Sequence, residues 1–216
     1  MNKLFVLLLT FVSFFTASAQ AQQSYRKVEA LANIGGGKGL GEHGVSHYQF
    51  DIAGGSRFSD CFSTGIGINH MTFLNRTDLP SGIDDILVQT GRHRAWRPYI
   101  YGKYAFSPQK TVGPFIRARL GYGAYSDGFI SFGRKVDADQ TGFSWDNFTD
   151  IPNQQLELKG GVFSSIEAGL SFRLGQKGTH CYLSVSYGFQ PTTYVYLSQQ
   201  ERKYNNTLGL HLGIGL

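Results

Sequence analysis

Some residue types in this 216-residue sequence, and their spacing, could carry chemistry. Ser186 and His211 are the types of a nucleophile and its base, and both occupy polar positions of alternating segments. Acting on lipid, such a pair would make a hydrolase, but a third, orienting group is needed and the spacing names none. Asp84, Asp85 and His93 share one long connection and raise a proteolytic reading with the same gap. Gly35-Gly36-Gly37-Lys38-Gly39 has the glycines of a phosphate loop, but Gly39 stands where Ser or Thr is required and no helix follows. A flexible loop is the plainer reading. His43 and His47 are four apart, a metal-pairing distance only on a helix, and glycines surround them. No cofactor or metal is expected.

Two further groups depend on where the chain places them. Glu29, Asp51, Lys103, Arg117, Arg119, Glu167 and Arg173 alternate with apolar neighbours and so share one face of their segments. If that face is enclosed, they must pair, because a lone buried charge is costly. Asp137, Asp139, Phe143, Trp145 and Phe148 lie in the connection 126–161. Aromatics beside charges there suit a surface ligand, a glycan or bridging cations, and equally suit packing on a rim.

The elements that must position these residues are strands. Val162, Ile166, Ala168, Leu170, Phe172 and Leu174 share one parity, against Ser165, Glu167, Gly169, Ser171 and Arg173. The segments 181–190 and 208–216 alternate as strictly, and no helical period competes. Further alternation predicts strands at 26–35, 47–54, 61–71, 97–106 and 115–125, eight in all. The connections 36–46, 55–60, 72–96, 107–111, 126–161, 175–180 and 191–203 are long and short by turns. That rhythm predicts an all-β, eight-stranded antiparallel up-and-down transmembrane barrel, with short periplasmic turns and long outer loops.

Composition narrows the solvent. Twenty-eight glycines, 17 phenylalanines and 12 tyrosines accompany only 16% charged residues, which excludes a disordered tail and a helical bundle. The net charge of +5 has no basic cluster, so nucleic acid is not an expected partner. Many glycines fall on the polar parity, where they would make room in a narrow lumen; a soluble barrel would wear Lys and Glu there instead. The apolar parity is therefore predicted to face outward. Tyr48, Phe62, Phe73, Phe106, Phe115, Tyr122, Phe163, Phe172, Tyr187, Phe189 and Tyr204 sit near strand ends, as two interfacial girdles would require. Cys61 and Cys181 begin the third and seventh strands, on opposite sides of such a barrel, and are predicted free.

Residues 1–19 read as a cleaved signal peptide: Lys3, then an apolar run from Leu4 to Phe15, then Ala17-Ser18-Ala19. Residues 20–216 would be the barrel domain. With the strand rhythm and the closing alternation of Tyr204–Leu216, this resembles the small outer-membrane barrels of the OmpA/OmpX-like family. The resemblance implies location in the bacterial outer membrane, contact with its lipid, and the barrel-assembly machinery as a partner in biogenesis. That machinery reads the closing strand, which here ends on Leu216 rather than an aromatic. A monomer with a structural or surface-interaction role is expected, its lumen filled by side chains and without catalytic function. The alternatives are a narrow pore for small solutes and a lipid-modifying outer-membrane enzyme.

Overall fold

The computed structural model describes residues 28–40, 45–74, 78–80, 86–90, 93–126, 128–136, 144–174, 179–196 and 199–216. The strands are β1 (Val28–Leu40), β2 (His47–Arg57), β3 (Phe62–Phe73), β4 (Asp78–Pro80), β5 (Ile86–Thr90), β6 (Arg94–Ala105) and β7 (Val112–Tyr122). They continue as β8 (Ala124–Tyr125), β9 (Gly128–Val136), β10 (Ser144–Lys159), β11 (Val162–Leu174), β12 (Thr179–Tyr196) and β13 (Gln199–Gly215). Eight of them, β1, β2, β3, β6, β7, β11, β12 and β13, form a ring in that order, each antiparallel to the next. The ring closes where β1 pairs β13, from Leu31 opposite Gly215 to Leu40 opposite Asn206. A closed ring leaves no strand edge unpaired. The predicted eight-stranded up-and-down barrel is the fold.

Side chains sort by parity as the alternation predicts. Ile34, Ile52, Ile66, Ile116, Leu120, Ile166, Val185, Leu208, Leu210 and Leu212 are exposed on the outer wall, while Glu29, Asp51, Arg117 and Glu167 are at most 2% exposed within it. This is a soluble protein turned inside out. Tyr48, Trp96, Tyr122 and Tyr204 ring the outer wall towards the end of the long connections, and Phe62, Tyr104 and Phe106 towards the short turns. Three of the aromatics expected in those girdles face inward instead. Phe115 and Phe163 share the parity of Arg117 and Ser165, and Phe73 that of Met71, so all three are buried in the lumen.

The end opposite the short turns holds more structure than the sequence pattern predicts. β4, β5, β9 and β10 form a further run of antiparallel strands, joined to the barrel where Leu158 of β10 lies opposite Tyr194 of β12. Trp145 and Phe148 are thus in strand β10, not in a loop, and Trp145 lies opposite Lys135. Asp137, Asp139 and Phe143 lie outside the described residues, as does the segment 1–19. The pairing of β9 with β10 shifts register twice, between Asp146 and Thr149 and between Asp150 and Gln155. Each shift breaks the period-2 alternation that reveals a strand.

Two other expected connections are also strand. Residues 191–196 and 199–203 continue the β12–β13 pairing in unbroken register up to Tyr196 opposite Gln199. Pro191 lies within this run, and Tyr194 and Tyr196 are buried. Gly35, Gly36, Gly37 and Gly39 lie within β1, the first three paired on both sides and Gly39 with Thr207 of β13. Glycine has no side chain to declare a parity, so the run is invisible to alternation. Its use is steric: the His47 ring lies 2.5 Å from where a Cβ on Gly37 would stand.

Candidate functional site

The lumen is the one place where the described polar side chains converge, and they do so in three tiers. Nearest the short turns, Glu29 pairs with Lys103, and Ser63 Oγ donates to Glu29 Oε2 at 2.7 Å. Tyr101 donates to the same oxygen at 3.2 Å, and Arg57 lies 3.9 Å from Glu29 Oε1. Lys103 also stands over the Tyr182 ring, 5.0 Å from its centroid. The carboxylate thus ties β1, β2, β3 and β6 together, and Lys103 extends the contacts to Tyr182 of β12.

In the middle tier Arg117 chelates Glu167, and Arg119 bridges Glu167 and Asp51 at 2.6 and 3.0 Å. Ser184 donates to Glu167 Oε1 at 2.6 Å. Tyr99 and Asn33 donate to Asp51 Oδ1 at 2.8 and 3.1 Å. Such charge-assisted, forked contacts are the strong kind, and their partners satisfy the lone pairs that burial would otherwise orphan. Six of the seven charges expected in the lumen are therefore in this system of contacts. Arg173 is not. It lies near the end of β11, exposed at the short-turn rim, and donates to the Pro108 carbonyl at 2.7 Å.

The third tier centres on Arg97, a residue the sequence did not single out. Arg97 is buried, and its partners are neutral amides: Nε donates to Asn69 Oδ1 at 2.9 Å, Nη1 to Gln190 Oε1 at 3.0 Å and Nη2 to Gln49 Oε1 at 2.7 Å. The guanidinium stacks on Phe163, 4.6 Å from the ring centroid. A signal was present, since Arg97 is two residues before Tyr99 and shares the inward parity of Tyr99, Tyr101 and Lys103. It lay at the first position of its predicted strand, where no parity had yet been established.

This tier also holds Ser186 and His211. Ser186 Oγ is 2.6 Å from His211 Nε2, so the pair predicted from parity is in contact. The third group is Gln49, whose Nε2 lies 3.0 Å from His211 Nδ1. The polarity of this chain follows from Arg97. Its guanidinium can only donate, which pins the Gln49 carbonyl oxygen towards it and turns the Gln49 amine towards His211. Nδ1 must then accept, so the neutral ring carries its proton on Nε2 and donates it to Ser186. A serine nucleophile needs the opposite arrangement, a free Nε2 to take its proton. As built, the trio is a structural relay.

Above it, Val45, Met71, Phe73 and Ala95 form an apolar cap, with His93 stacked on Phe73 at 4.4 Å between centroids. Lower down, Leu31, Tyr99, Tyr101, Phe115, Phe163 and Tyr182 fill the space between tiers. Among the described residues, no group of His, Cys, Asp and Glu could hold a metal. Cys61 and Cys181 are both free thiols.

A closed ring of eight antiparallel strands, apolar outside and ion-paired inside, has the architecture of small outer-membrane barrels. No family model and no curated protein matches the sequence. Among solved structures, the chain is similar to Neisserial surface protein A at 13% identity, over 89% of this chain and 99% of that one, with a TM-score of 0.52. It also matches the outer membrane protein AlkL, solved in lipid bilayers, at 13% identity over 90% and 92% of the two chains, with a TM-score of 0.44. The outer membrane enzyme PagL matches at 11% identity over 84% and 97%, with a TM-score of 0.38. At these identities the likeness is one of fold.

Proposed function

We propose that this chain is a bacterial outer-membrane β-barrel protein with a structural or surface-interaction role and a lumen that does not conduct. The observation that carries the reading is the interior itself. An eight-stranded barrel is just wide enough for its own side chains to fill. Here three hydrogen-bonded tiers and an apolar cap occupy that width from rim to rim. The exposed belt of Ile, Leu and Val on the outer wall favours lipid as its solvent, since a soluble monomer rarely exposes so large an apolar surface. In this reading residues 1–19 direct export, the short turns face the periplasm, and assembly machinery folds the chain as a monomer. The strands β4, β5, β9 and β10 then stand outside the cell, where a surface ligand would meet Trp145 and Phe148.

The test joins extraction to conductance. The folded protein should require detergent for release from envelope fractions, change its gel mobility on boiling, and give no steady current in planar bilayers. Extraction without detergent would refute the membrane reading. Steady single-channel current in a correctly extracted protein would replace the filled lumen with the narrow pore.

A further inference from the structure

In the upper lumen, a cavity of about 20 Å³ lies between Arg97, Arg119, Ser165, Ser186, Gln190 and Thr207. It is roughly the size that holds one water-sized particle. We propose that it is a binding site for a single halide ion, held beside the Arg97 guanidinium.

Charge points to an anion. The buried ionic groups described in the barrel are the carboxylates Glu29, Asp51 and Glu167 and the cations Arg97, Lys103, Arg117, Arg119 and Lys203. Lys203 lies 3.5 Å from Glu201. Lys103, Arg117 and Arg119 each contact a carboxylate. Arg97 is left with amide oxygens and a ring face alone. A buried cation without a counter-ion is costly, and amide dipoles offset only part of that cost. One anion at the cavity would balance the interior.

Donor geometry separates a halide from a water. Gln190 Nε2 and Arg119 Nε are buried and make no hydrogen bond. Ser186 accepts from His211 Nε2 by the relay described above, so its own hydroxyl proton is free to donate. These three donors belong to residues that line one cavity. A water can accept two hydrogen bonds and must place its own two protons, whereas a halide accepts from every donor around it. Room for about one water-sized particle suits a monatomic anion. The site does not depend on the membrane reading, since it lies inside the wall.

The full mature chain, refolded from urea into detergent with sodium bromide as the sole halide, provides the test. Refolding in bromide fills the site before the barrel closes, so slow entry is no obstacle. Crystals should show an anomalous bromine peak within hydrogen-bonding reach of Arg97, Gln190 and Ser186, and none in Arg97→Gln. Should Arg97→Gln not fold, Ser186→Ala decides. It removes one hydrogen bond to the ion and should lower the bromine occupancy about tenfold in crystals of protein refolded at limiting bromide. An ordered water in the cavity of bromide-grown crystals, or equal bromine occupancy in the parent and Ser186→Ala, would overturn the proposal.

Discussion

Glu167 and Arg117 face each other directly across the β7–β11 pair, and the guanidinium grips the carboxylate with Nε at 3.1 Å and Nη2 at 2.7 Å. Arg119 adds a third nitrogen at 2.6 Å from the same carboxylate. Glu167 is thus the shared anion of two buried guanidiniums. Replacing it by Gln leaves Arg117 with no carboxylate in contact, while Arg119 keeps Asp51. Breaking a buried pair from one side costs about 3–5 kcal/mol. Urea titration of Glu167→Gln refolded into vesicles should show a loss of that size. Arg117→Met combined with Glu167→Met should recover part of it, because no orphaned charge remains on Arg117. A single variant as stable as the parent would mean that the tier contributes no net stability.

The outer wall makes an opposite demand. Ile166 lies midway along β11 and is 57% exposed, whereas Glu167 beside it is 1% exposed. In a lipid-facing wall, Ile166→Arg should cost about 2–4 kcal/mol, as charges do near the bilayer midplane. On a water-facing wall the same change would be close to neutral. Reversible unfolding in vesicles measures the difference.

Two glycines separate lumen crowding from backbone freedom. A Cβ on Gly121 would meet the Pro98 carbonyl oxygen first, then the Phe163 ring at 2.6 Å and Tyr99 Cβ at 2.8 Å. The nearest neighbour of a Cβ on Gly54 is 4.0 Å away. Gly121→Ala should destabilise by about 1–3 kcal/mol through overpacking. Gly54→Ala should be neutral, or stabilising by about 0.4–1 kcal/mol through the unfolded chain. Paired urea curves read both, and equal effects would show that the lumen relaxes around an added methyl.

How much of this was legible in the sequence depends on whether a position declares its face. Arg117 and Ile116 declare opposite faces at adjacent positions, and that contrast located the strands, the fold and six members of the ionic interior. Gly35 to Gly37 declare nothing, so the upper half of β1 was silent. Around Asp146 and Asp150 the pairing slips register, and strand β10 was silent for a different reason: its alternation is interrupted. Arg173 declares the inward face, yet depth along a strand is not encoded in parity, and it ends at the rim. Phe73, Phe115 and Phe163 show the converse. Aromatic type suggested a girdle, while parity, correctly followed, put them in the lumen. The amides Gln49, Asn69 and Gln190 were on the inward parity throughout, but only their convergence on Arg97 gives them a role, and that convergence is tertiary.

The relay at Ser186 and His211 makes a prediction about a single proton. Arg97 fixes the Gln49 amide, the amide fixes Nδ1 of His211 as an acceptor, and the ring proton must sit on Nε2. Nitrogen NMR on histidine-labelled protein should report the Nε2–H tautomer. Gln49→Glu replaces the amine that faces Nδ1 with a carboxylate oxygen, which can only accept. The ring should then move its proton to Nδ1, freeing Nε2 to accept from Ser186 and assembling the order of groups that a serine hydrolase uses. The new carboxylate would also sit against the Arg97 guanidinium and form a buried ion pair with it, so the variant is expected to fold. If the parent already carries its proton on Nδ1, the wiring through Arg97 is wrong and Ser186 faces a competent base.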